Sequence, residues 1–112
     1  MNKQTIKNSF FLIYSMTSKK HFIIKEAKGI SKKLKIDWSK VKYKIEQFRH
    51  GMDIELEHGR IDKNTNVTND NALMTGKITL AHLNEFPDYY NRLDKLESAA
   101  EKFWKKRNKL KR

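Results

Sequence analysis

Two carboxylate and imidazole pairs stand out. Glu55 and His58 are three residues apart, and so are His82 and Glu85. Residues at that spacing are neighbours on a helix face, so each pair would present both groups together. Glu-x-x-His is the unit with which helical bundles hold two metal ions. Glu55-x-x-His58 has that order; His82-x-x-Glu85 reverses it. The other metal arrangement is a single divalent ion on His58, His82 and one or two carboxylates, with Glu97 as a further ligand. Zinc, iron or manganese suits such donors. A second reading needs no ion. The same groups pair with each other, or with Arg49, Arg60 or tyrosine hydroxyls, in a buried network that fixes which helix faces which. Catalysis has little support: no serine or threonine stands in a nucleophile motif, and no glycine-rich phosphate loop is present.

Asp62, Asn64, Asn66, Thr68 and Asp70 space their oxygens as an EF-hand loop does. Position six is Val67 instead of glycine and position twelve is Leu73 instead of glutamate, so the turn and the bidentate ligand are both missing. An Asn/Asp-rich capping loop accounts for these residues. The C-terminal end is the other candidate site. Lys102, Lys105, Lys106, Arg107, Lys109, Lys111 and Arg112 surround Trp104. The cations would neutralise phosphates or meet an acidic protein surface, and the indole could stack on a base.

These groups must be positioned by a small chain. At 112 residues with 38% apolar residues, the sequence predicts one domain with a modest core. Cysteine is absent, which removes disulfides and thiolate ligands. The longest apolar run, Phe10 to Tyr14, is too short for a membrane span. No small-residue cleavage site follows it, so it does not read as a signal peptide. The net charge of +12 is uneven: +10 over residues 1–44, −4 over 45–99 and +6 over 100–112. An acidic centre between basic ends suits a polyanionic partner.

Periodicity predicts an all-α bundle of four to five helices with a long C-terminal helix. A first helix is expected over about 4–16. A second, about 22–35, carries Ile23, Ala27, Ile30 and Leu34 on one stripe and lysines on its other faces. Trp38 reads as an anchor after it. A third, about 44–59, has Ile45, Phe48, Met52 and Leu56, with Gly59 as its C-cap. Asp70 or Asn71 would cap a fourth, about 72–86, in which His82 and Glu85 flank Ile78 and turn inward. Pro87 opens a fifth, about 87–106. Its seam of Tyr89, Leu93, Leu96, Ala100 and Phe103 is expected to pack on another helix, in this chain or in an assembly partner.

The stretches GMDIELEHG, TNVTND and AHLNEFPDYY carry a resemblance. From about Phe22 to Glu97 the chain resembles a family of small, uncharacterised helical proteins of tailed phages, large DNA viruses and some bacteria. The resemblance implies a helical module over 22–99 with no established activity, a variable segment over 1–21 and a basic tail over 100–112. It also implies a virion or the host cytoplasm as the setting. The leading expectation is a non-enzymatic binding or structural protein that engages nucleic acid or an acidic assembly partner through its basic ends. The alternatives are a metal-binding protein or metal-dependent enzyme using the Glu/His cluster, and a virus-encoded inhibitor of a host protein.

Overall fold

Four helices organise residues 21–110, which the computed structural model describes, with side chains to Arg107. They are α1 (Ile24–Lys33), α2 (Ile45–Ile61), α3 (Ala72–Glu85) and α4 (Tyr89–Leu110). There is no strand among the described residues, and the all-α expectation holds. The helix expected over 4–16 lies outside them, as do Lys111, Arg112 and the side chain of Lys109.

Local chemistry sets the ends. At α1 the Ile23 N–H donates to the Glu26 carboxylate at 3.0 Å. Lys32 and Lys33 face the negative end of its dipole. The helix closes with Ile36 N–H on the Ser31 carbonyl and Lys35 N–H on the Lys32 carbonyl. Lys35 takes the left-handed position (φ 58°) that glycine usually fills. Asn71 caps α3 by accepting the Met74 N–H at 2.9 Å. Asp70 instead accepts from the buried Arg60 at 2.9 Å and so ties the loop back to α2.

The core is the α2 stripe of Phe48, Met52 and Leu56 with Ala27, Ile30, Tyr43, Leu83 and Tyr90. Trp38 meets Tyr43 and Phe48 edge-on, with centroids 6.0 and 6.1 Å away, as an anchor should. Ile23, expected on the buried α1 stripe, is 60% exposed because it precedes the helix. Gly59 does not end α2, which continues to Ile61. A Cβ at Gly59 would lie 2.8 Å from Asn66 Oδ1, so this glycine makes room for the loop.

The buried face of α3 is Thr75, Gly76, Thr79 and Leu83, not the larger residues around Ile78. Both threonine hydroxyls donate to the carbonyl four residues back, at 2.8 and 2.9 Å, which satisfies them inside an apolar contact. Two close approaches follow from this small-residue packing. A Cβ on Gly76 would collide with Ile30 of α1, and one on Gly51 of α2 with the Tyr90 ring and Thr79. Beyond that contact α4 leaves the core. Every residue from Asp94 to Arg107 is exposed.

Candidate functional site

Glu55 faces inward because it lies one turn beyond Gly51 and Met52 on the buried side of α2. Its side chain is 9% exposed, which demands partners for a carboxylate. The Tyr90 hydroxyl donates to Oε2 at 2.8 Å. Nδ1 of His82 lies 2.8 Å from the same oxygen. A carboxylate only accepts, so Nδ1 carries the proton. Nδ1 of His58 is 3.8 Å from Oε1, an ion-pair distance. Nε2 of His58 is bonded to Glu97. The Tyr89 ring stacks on His82 with centroids 4.2 Å apart and planes 19° apart. One carboxylate on α2 therefore gathers α3 through His82 and α4 through Tyr90, while His58 and Glu97 add a more exposed link between α2 and α4.

The tyrosines feel this setting. Burial pushes the Tyr90 phenol well above its usual range, and the Glu55 charge adds to the shift. Tyr89 is raised by burial, then by Glu55 and Glu85.

Of the five candidate metal ligands, Glu55, His58, His82 and Glu97 are brought together, as carboxylate–imidazole pairs. Glu85 is exposed and bonds to none of them, because the inward face of α3 runs through Thr79 and Leu83. Among the described residues no group of three or more His, Asp or Glu side chains is placed to hold a metal ion. Tyr90 is the member that sequence reasoning missed. Tyr89 and Leu93 of the seam pack against the core, while the side chains bonded to α2 are Tyr90 and Glu97. The 3 and 4 spacing of Tyr90, Leu93 and Glu97 was the signal that could have found it.

The seam itself divides. Tyr89 and Leu93 pack against the core, but Leu96 is 65% and Phe103 51% exposed. Lys102, Lys105, Lys106 and Arg107 are all exposed on the same distal stretch. Phe103 and Trp104 form an edge-to-face pair at 5.2 Å, and the Arg107 guanidinium sits 5.4 Å over the Phe103 ring. The only acid on that stretch after Glu97 is Glu101, paired with Lys105 at 3.8 Å. No helix among the described residues is long and apolar enough to cross a membrane.

Compared with known proteins, residues 27–99 match a family described as "Protein of unknown function (DUF5661)". The match takes in the whole Glu55 network and stops short of the basic end of α4. No curated protein and no solved structure matches the chain.

Proposed function

The chain belongs to the DUF5661 family, whose function is unknown, and from that premise we propose that it is a non-enzymatic binding module whose α4 arm grips nucleic acid. The observation that carries this reading is the arm. It extends off a folded acidic centre and is exposed from Asp94 to Arg107, and the sequence has seven cations and no acid over residues 102–112. The distal length makes no contact with the Glu55 network among the described residues, so its cationic face is presented to solvent. Its ammonium and guanidinium groups would displace counterions from phosphates. Phe103 and Trp104 add ring faces for unpaired bases, so single strands are the favoured form. The exposed lysines of α1 (Lys25, Lys28, Lys32 and Lys33) extend the positive field. The Glu55 network holds the root of the arm in place and performs no chemistry of its own.

The test is fluorescence anisotropy with a labelled single-stranded oligonucleotide, comparing the full chain with one ending at residue 101. The log of the affinity should fall linearly with log salt, by about 0.7 for each phosphate neutralised. Removing residues 102–112 should weaken binding at least about 100-fold, since each phosphate contact adds to the electrostatic free energy. Equal affinity of the two chains, or affinity insensitive to salt, overturns the proposal.

A further inference from the structure

A second site lies away from the arm. Between the C-terminal half of α1 and the start of α2 is an open cleft of about 450 Å³. Small-molecule sites span about 300–1,000 Å³. Its floor is apolar and aromatic, from Ile36, Trp38, Tyr43 and Ile45. Its walls bring together Lys28 and Lys32, one turn apart on α1, and Lys44, which precedes α2. All three are exposed, and none forms an ion pair among the described residues. Like charges one turn apart repel, and a third lysine arriving from another element adds to that cost. The C-terminal dipole of α1 offsets part of it at Lys32, but Lys28 and Lys32 sit on solvent-facing positions, while Ala27, Ile30 and Ser31 are buried. Glu46 stands on the same lip as an acceptor.

Cations around an aromatic floor, with one carboxylate beside them, describe a ligand with a dianionic end, a flat ring and a hydrogen-bond donor. The geometry points to a purine nucleotide in this cleft, its phosphate between Lys28, Lys32 and Lys44, its base on the Trp38 side of the floor, and its amine or ribose hydroxyl toward Glu46. The cleft uses no residue of the α4 arm, so removing residues 102–112 should leave it intact.

The test is a titration of the 15N-labelled full chain with adenosine monophosphate, then with adenosine alone and inorganic phosphate alone. Adenosine monophosphate should move the Trp38 indole N–H and the backbone amides of residues 28–32 and 44–46. It should bind at least about tenfold tighter than either fragment, because it uses both halves of the cleft. Lys32→Ala with Lys44→Ala should weaken it about 100-fold, a factor of ten for each lost phosphate contact, with the rest of the spectrum in place. Shifts confined to residues 102–107, phosphate binding as tightly as the nucleotide, or a double variant that binds as well as the parent each overturns the inference. Competition with oligodeoxyadenylate then assigns the source. Displacement of the nucleotide makes the cleft a seat for one residue of a strand, and retention makes it a site for the free nucleotide; both outcomes uphold the site.

Discussion

The two halves of α4 are one unbroken helix with opposite relations to the rest of the chain. The first half, Tyr90 to Glu97, gives a buried phenol and a carboxylate to α2 and a half-buried leucine to the core. The second half, from Ser98 to Arg107, meets no core residue and carries most of the helix's cations. Helical propensity does not separate them: the first half draws on Leu, Lys, Arg and Glu and the second on Ala, Lys, Arg and Glu. What differs is which face finds a partner. Tyr90 meets Gly51 and Glu55, Glu97 meets His58, and α2 ends at Ile61, so among the described residues the distal half makes no contact with the Glu55 network. Length beyond the packing surface is thus what separates the folding segment from the proposed binding segment.

Substitutions can break that contrast, and the largest effect should come from its hub. Glu55→Ala strands His82 and the Tyr90 hydroxyl without their acceptor and should cost roughly 2–4 kcal/mol in urea unfolding. Gly51→Ala drives a methyl into the Tyr90 ring, and overpacking of this kind costs about 1–3 kcal/mol, read as a lower Tm. Gly29, with nothing within 4 Å of its added Cβ, is the control, and its alanine variant should gain about 0.5–1 kcal/mol. Tyr90→Phe removes one bond to a buried carboxylate, at a cost of about 1–2 kcal/mol at neutral pH. It should also alter the alkaline limb of stability. The buried Tyr90 phenol is held above 10.0, the value it has when unfolded. Its contribution is therefore complete below pH 10.0 and is lost as the pH rises beyond it, because the unfolded chain ionises first. Unfolding free energy measured across that range should fall less steeply in Tyr90→Phe. Tyr43 and Tyr89, also raised by burial, add to the slope that remains. The smallest stability effects belong to the distal half. Leu96→Ala and Phe103→Ala should stay within about 0.5 kcal/mol of the parent, while Phe103→Ala weakens oligonucleotide binding.

The parts of this molecule that sequence could reveal are those with one strong period. Phe48, Met52 and Leu56 on α2, the capping side chain of Asn71 and the lysine-rich outside of α1 follow directly from helical spacing. The inward faces of α3 and α4 do not. On α3 the large residues Leu73, Ile78 and Leu80 outweigh Thr75, Gly76 and Thr79 in any hydrophobic pattern, although small residues are what let helices approach closely. That error also turned Glu85 inward. On α4 the apolar repeat placed Tyr89 and Leu93 against the core, but it gave no weight to Tyr90, whose hydroxyl the buried Glu55 carboxylate takes as a partner. The Glu55, His58, His82 and Glu97 grouping was visible as residue types; its role in joining three helices became evident only from the packing.

Backbone hydrogen exchange along α4, with and without a single-stranded oligonucleotide at low salt, tests the central claim most directly. Amides of residues 93–98 should be protected to nearly the global unfolding free energy in the free chain. Those of residues 102–110 should exchange fast alone and slow when the oligonucleotide is added. Equal protection of both halves in the free chain, or a distal half whose exchange ignores the oligonucleotide, would contradict the division of α4 into a folding half and a binding half.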